Sequence, residues 1–122
     1  MHLTNILLVG LGGAFGSMAR YAVSALLGGA AGAIWATFTV NALGSLAIGA
    51  LSGMMAHLGA NAEMVRAFAV VGVCGGFTTF STFSNEVFRL LQCGRVALAG
   101  TYVLGSLLTG LAAVALGWWL TR

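Results

Sequence analysis

The feature that most constrains this chain is a polar interruption inside a segment that is apolar enough to cross a membrane. The run from Gly75 to Ser84 reads GGFTTFSTFS and holds two glycines, five hydroxyl side chains and three phenylalanines. A helix that opens in hydrocarbon leaves backbone N–H and C=O groups unpaired, and such backbone is tolerated only where protein buries it or water reaches it. The glycine pair therefore predicts a break near Gly75–Thr79 and an ion or solute site at membrane depth.

The rest of the chain has the composition of a membrane protein. Of its 122 residues, 60% are hydrophobic and only 6% are charged. Four stretches exceed the roughly 20 residues that a hydrocarbon layer requires. They are Leu3–Leu27, Ile34–Leu58, Val65–Leu91 and Val96–Leu120. The predicted fold class is an all-α membrane protein, in which residues 1–122 form a single domain of four transmembrane helices with both termini on one side.

The arginines give almost no signal for the orientation of this chain in the membrane. Arg66 and Arg122 lie on the side of the termini, Arg89 and Arg95 lie on the other side, and Arg20 lies deeper in the first span. Such an even distribution permits either topology. Two copies inserted in opposite senses would form an antiparallel dimer. The net charge of +3 is too sparse for a nucleic-acid surface, but it favours an anionic ligand over a cationic one.

Polar and small residues follow one line along the second span. They recur at four-residue intervals, as Thr37, Asn41, Ser45, Gly49 and Gly53, which places them on one helix face. The Asn41 amide has two possible roles. It donates to an anion while a neighbouring group bonds its carbonyl, or it forms a hydrogen bond between helices that stabilises their packing. Arg20 also has two readings, a snorkelling or structurally paired side chain and part of an electropositive vestibule.

The third span offers weak anion ligands and oxygen ligands for a cation. Phe80 and Phe83 lie three residues apart, so their rings project on nearly the same face. Their positive edges suit an anion, although core filling explains them as well. Carbonyls freed near Gly75 and Thr78 would suit a monovalent cation, since hard cations take oxygen ligands.

Further polar groups lie in the third and fourth spans. Hydroxyl donors follow the break at Ser81 and Thr82, and Tyr102 and Ser106 begin a second hydroxyl track on the fourth span. Glu86 is one of only two acids in the chain. It either pairs with Arg89 three residues later or shapes the mouth of a pore.

These residues do not assemble into an enzyme. The sequence has no Ser-His-Asp arrangement, no pair of catalytic carboxylates and no phosphate-binding loop. Two other classes stay open. A small dual-topology multidrug-type exporter needs a membrane-embedded carboxylate, for which Glu86 is the only candidate. A non-transporting membrane assembly protein explains the glycines, but not Asn41, Phe80 and Phe83 together.

The chain resembles the small fluoride channels called Fluc or CrcB over nearly its whole length. The matching pieces are Gly12-Gly13-Ala14-Phe15-Gly16 leading to Arg20-Tyr21, Thr37-Phe38-Thr39-Val40-Asn41 leading to Gly44-Ser45, and Gly75 through Ser84 followed by Glu86. The third piece is long and unusual, and it is the most specific of the three.

The resemblance implies a multi-pass protein of the cell's inner membrane that conducts fluoride passively through two pores of an antiparallel homodimer. It implies that Asn41 contacts fluoride and that Phe80 and Phe83 line the pores. It implies a central structural Na⁺ held by the backbone carbonyls of Gly75 and Thr78. The implied polar track comprises Ser81, Thr82, Tyr102 and Ser106. Arg20 and Glu86 are expected nearer the pore mouths.

Overall fold

The protein is a bundle of four long helices in the computed structural model, which describes residues 2–29 and 32–122. Four helices are long and apolar enough to cross a membrane: Leu3–Leu27, Ala33–His57, Gly59–Gln92 and Val96–Thr121. The prediction of four spans is confirmed, although the third begins earlier than expected. Residues 30 and 31, in the predicted connection between the first two spans, and Met1 lie outside the described residues.

The helices associate in two pairs through glycine contacts. Helix α1 (Leu3–Leu27) packs along the first half of the third span, and helix α2 (Ala33–Met54) packs along the last helix. A Cβ added to Gly72 would lie 2.9 Å from the Gly12 Cα, and one added to Gly117 would lie 2.6 Å from the Ala50 nitrogen. Because lipid is as apolar as leucine, such close backbone approach supplies much of the packing energy in a membrane bundle.

The third span consists of segments with different helix types. A short helix α3 (Ala62–Val65) leads into a π-helical segment, Arg66–Cys74, and one more turn, α4 (Gly75–Phe77). After the break, helix α5 (Phe80–Gln92) completes the span, and helix α6 (Val96–Thr121) forms the fourth. The π-helical segment was not anticipated, because a nearly continuous apolar run carries no signal for a wider helix. Such segments are uncommon and frequently occur at functional sites.

The break itself lies within the predicted interval, but the glycine pair does not open the helix. Gly75 and Gly76 are both helical, whereas Thr78 (ψ 158°) and Thr79 (φ −150°, ψ 120°) are extended. Gly76 serves packing instead, since a Cβ there would lie 2.6 Å from the carbonyl oxygen of Gly13 on α1. The residues that end the helix are therefore two threonines, and the extended backbone of Thr79 is held from the second span.

Candidate functional site

Asn41 clamps the backbone of the break from helix α2. Its Oδ1 accepts a hydrogen bond from the Thr79 N–H at 2.8 Å, and its Nδ2 donates to the Thr79 carbonyl at 3.0 Å. The amide thus pairs with both backbone groups of one extended residue, as a neighbouring strand would. An amide nitrogen carries two hydrogens, so one N–H of Asn41 is left for another acceptor.

Two side chains cap the helix ends that the break creates. The Arg20 Nε donates to the carbonyl oxygen of Gly76 at 3.0 Å, so a cation covers the C-terminal end of α4, where the helix dipole is negative. The Thr79 hydroxyl accepts from the Thr82 N–H at 3.2 Å and begins α5 as its N-cap. The structure therefore places Arg20 at the break, where its side chain pairs with the backbone.

The break removes the usual helical donors of several carbonyls, and those of Gly75 and Thr78 are among them. In a continuous helix the Gly75 carbonyl would accept from the Thr79 N–H, and the Thr78 carbonyl from the Thr82 N–H. The first of these N–H groups donates to Asn41 and the second to the Thr79 hydroxyl. The Gly75 and Thr78 carbonyls are thus available as oxygen ligands, and they are the pair expected from the sequence to hold a cation.

A cavity of about 300 Å³ lies beside the break. It is lined by Asn41, Ser45, Ile48, Thr78, Thr79, Phe80, Phe83, Ser106 and Leu107. The rings of Phe80 and Phe83 lie 6.0 Å apart between centroids at an interplanar angle of 43°. A single cleft therefore brings together predicted site residues from three different spans. They are Asn41, Phe80, Phe83 and Ser106.

Ser106 contributes an unsatisfied donor to this cleft. Its hydroxyl oxygen is buried and has no hydrogen-bond partner within residues 2–29 and 32–122. A buried polar group without a partner costs about 1–3 kcal/mol, so such groups usually mark a functional role or an absent ligand. Ser106 and Asn41 both line the cleft, so a hydroxyl and an amide N–H that have no acceptor in the described part of the chain lie beside a space large enough for an anion.

Glu86 and Tyr102 lie behind the phenylalanines in a hydrogen-bonded group. Glu86 accepts from the Thr37 hydroxyl at 2.7 Å and from the Tyr102 hydroxyl at 2.6 Å. Tyr102 packs edge-on against Phe83, with 5.0 Å between the ring centroids. Both carboxylate oxygens are engaged by hydroxyls, and the alternative of an ion pair between Glu86 and Arg89 does not occur.

Some predicted residues lie outside the cleft, and some cleft residues were not predicted. Ser81 and Thr82 are exposed on α5 and do not line the cavity. Thr79 and Ser45 belong to the site but were not assigned to it. Thr79 carried a usable signal, because a threonine directly before an amphipathic helical run is a typical N-cap.

Tyr102→Phe is expected to destabilise the protein by about 1–3 kcal/mol, because it leaves a carboxylate oxygen of Glu86 without its donor in a half-buried position. Thermal unfolding in detergent, followed by tryptophan fluorescence, measures the change. Tyr21→Phe is the matched control, since Tyr21 is the other tyrosine of the chain and is 78% exposed. Equal unfolding temperatures of the two variants would contradict a supporting role for the Tyr102 hydroxyl.

Comparison with known proteins places this site within a family. The model of the family described as CrcB-like protein, Camphor Resistance (CrcB), matches residues 7–118. The chain belongs to the CrcB family. The matched CrcB region contains every residue of the break and the cleft, from Arg20 to Leu107.

Curated CrcB relatives align over nearly their full length. A protein of Thermus thermophilus is 50% identical over 118 residues, which cover 95% of this chain and 94% of the relative. A protein of Phocaeicola vulgatus is 40% identical over 122 residues, which cover 98% and 100%. Both are named fluoride-specific ion channel FluC. A protein of Nitrobacter hamburgensis, 43% identical over 119 residues that cover 96% and 94%, is named fluoride-specific ion channel FluC 1. These names describe channels and agree with the prediction that this chain is not an enzyme.

Proposed function

We propose that this multi-pass membrane protein is a fluoride-selective channel that exports F⁻ passively from the cytoplasm through the inner membrane. The observation that carries the proposal concerns Ser106, whose hydroxyl has no partner in the described part of the chain and which lines one cleft with Asn41 and its spare amide N–H. Fluoride is small and strongly hydrated, so its water must be replaced by donors. Uncharged donors replace it without holding the ion too tightly to leave, which conduction requires.

The site residues take distinct roles in this proposal. Asn41 and Ser106 donate hydrogen bonds to fluoride, while Phe80 and Phe83 offer ring edges on either side of the ion. Ser81, Thr82 and Tyr102 continue the polar track beyond the cleft. Arg20 raises the electrostatic potential at the approach to the break, and Glu86 orients the hydroxyls of Thr37 and Tyr102 near one pore mouth.

The conducting form is proposed to be an antiparallel homodimer with two pores. Polar and aromatic groups beside the break are exposed on a single chain, including Phe80 (80% exposed), Ser81 and Thr82. Hydroxyl groups that face lipid at membrane depth are unfavourable. We therefore expect a second copy of the chain to pack against this face. The even distribution of arginines on the two sides allows that copy to insert in the opposite sense.

A structural Na⁺ is proposed at the dimer centre. The carbonyls of Gly75 and Thr78 fit such an ion, because both have lost their helical donors and a hard cation prefers oxygen ligands. Within residues 2–29 and 32–122 no cluster of His, Cys, Asp or Glu side chains forms a metal site, so the ligands would come from the backbone. When bound, Na⁺ would add positive potential beside the fluoride path.

The geometry of the site gives less support to the two alternative functions, a multidrug-type exporter and a membrane assembly protein. A proton-coupled exporter needs a carboxylate that is free to exchange protons and cations, whereas both oxygens of Glu86 accept hydrogen bonds from neighbouring hydroxyls. An assembly protein would need the glycine contacts between helices, but that function does not require a cleft lined by unpaired hydrogen-bond donors.

Fluoride efflux from liposomes that contain the purified protein tests the proposal directly. Wild-type protein is expected to release F⁻ rapidly and to release no Cl⁻ under the same gradient, as read by ion-selective electrodes. Ser106→Ala is expected to slow F⁻ release by about tenfold, equivalent to about 1.4 kcal/mol, without loss of thermal stability, because the hydroxyl has no partner to lose.

Ser52→Ala is the matched control for this experiment, since Ser52 is exposed on α2 away from the cleft. It should release fluoride at the wild-type rate. Absence of fluoride release from folded wild-type protein would contradict the channel function. Unchanged release from Ser106→Ala would contradict only the assignment of Ser106 as a fluoride donor.

A further inference from the structure

A second cavity, of about 460 Å³, lies at the end of the helix bundle opposite the chain termini. Its lining includes Ile34, Trp35, Glu86, Arg89, Arg95 and Leu98. These residues come from the start of α2, the end of α5 and the start of α6. Because three helix ends meet there, the cavity lies where the hydrocarbon layer gives way to lipid headgroups.

The charges of this cavity are not balanced by the protein. Arg89 and Arg95 are exposed there, and neither forms an ion pair within residues 2–29 and 32–122. The chain has only two acids, Glu63 and Glu86. Glu63 lies at the other membrane surface, where it accepts a hydrogen bond from Asn5 at 2.6 Å. Glu86 alone faces the two arginines, so the cavity keeps an excess of positive charge.

We infer that this cavity, hereafter the arginine cavity, binds the phosphate of an anionic phospholipid. Arg89 and Arg95 supply guanidinium donors, which suit phosphate oxygens. Ile34, Leu90 and Leu98 supply an apolar wall that continues toward the hydrocarbon layer. A lipid satisfies both features at once, since its headgroup is anionic and its acyl chains are apolar. A free anion would leave the apolar wall unused.

Trp35 supports this location. It lies in the first turn of α2, is 66% exposed, and packs edge-on against Phe38 with 6.2 Å between ring centroids. Tryptophan is enriched at the level of the headgroups, where its ring is half in water and half in hydrocarbon. Trp35 therefore marks the depth at which a phospholipid phosphate would lie beside the two arginines.

Native mass spectrometry of the purified full-length protein in mild detergent tests this inference. The protein is titrated with phosphatidylglycerol, which is anionic, and with phosphatidylcholine, whose trimethylammonium group opposes the arginines. Wild-type protein is expected to retain phosphatidylglycerol preferentially. The double variant Arg89→Gln/Arg95→Gln should bind it roughly 30-fold more weakly, the factor that two basic residues together supply at an anionic lipid surface.

Two controls make the result decisive. Arg66→Gln/Arg122→Gln removes the same charge at the opposite membrane surface and should bind phosphatidylglycerol as the wild type does. Should Arg89→Gln/Arg95→Gln fail to fold, Arg89→Lys/Arg95→Lys keeps the charge but loses the bidentate geometry, and it is expected to bind with intermediate affinity. Equal phosphatidylglycerol binding by the wild type and the folded cavity variant would overturn the inference. Displacement of the lipid by an equal concentration of inorganic phosphate would also overturn it, in favour of a free-anion site.

Discussion

Asn41→Asp is expected to abolish fluoride efflux. The new carboxylate would still accept the Thr79 N–H, but its second oxygen would face the Thr79 carbonyl and its charge would lie in the cleft. Two like charges about 4 Å apart repel by about 4 kcal/mol at an effective dielectric constant near 20, or roughly three orders of magnitude in rate. Liposome efflux read with a fluoride electrode measures the loss.

Asn61→Asp is the matched control for this substitution. It adds the same charge in the connection before α3, at the membrane surface of the chain termini, and should leave efflux near the wild-type rate. Gel filtration and thermal unfolding establish that both variants are folded. Fluoride efflux at the wild-type rate from folded Asn41→Asp would remove Asn41 from the conduction path and leave it as a clamp on the break alone.

Gly16→Ala is expected to disrupt the packing of α1 against the third span. The added Cβ would overlap the Val73 carbonyl oxygen and would lie 2.8 Å from the Phe77 nitrogen. Backbone atoms cannot rotate away as side chains do, so the helices must separate, and the destabilisation should reach about 3 kcal/mol or more. A lowered unfolding temperature and loss of the monodisperse peak in gel filtration would report it.

Gly10→Ala provides the control within the same helix. A Cβ at Gly10 would meet no atom within 4 Å beyond its own stretch of helix in the described part of the chain. Alanine also favours a helix over glycine by about 1 kcal/mol. This variant should be as stable as the wild type or slightly more so. Similar unfolding temperatures for Gly10→Ala and Gly16→Ala would contradict the glycine-mediated contact between α1 and the third span.

Much of the site could be predicted because its residues are chemically out of place. Asn41, Arg20 and the run of hydroxyls after Gly76 stand in segments that are otherwise apolar, and polar groups in a membrane are seldom there by chance. Regular spacing then placed them on particular faces, as with Thr37, Asn41 and Ser45 on α2. The four spans followed from length and hydropathy alone, since little except a helix satisfies its own backbone in lipid.

The cause of the break could not be predicted, because it depends on a contact between distant residues. Glycine suggested flexibility at Gly75 and Gly76, yet both are helical and serve close packing. The opening occurs where the Asn41 amide, 38 residues away, bonds both backbone groups of Thr79. Local sequence reports the preferences of a segment but not the hydrogen-bond partner that a neighbouring helix brings to it.

The sequence by itself determined the membrane location, the four helices and the polar residues of the third span, because these follow from composition, length and spacing. Only the tertiary structure decided that Arg20 covers the Gly76 carbonyl and that Glu86 bonds Thr37 and Tyr102 instead of Arg89. It also decided that the Ser106 hydroxyl has no partner among residues 2–29 and 32–122. Hydrogen bonds are directional and short. The acceptor that each donor reaches therefore depends on the distance and rotation at which the helices pack.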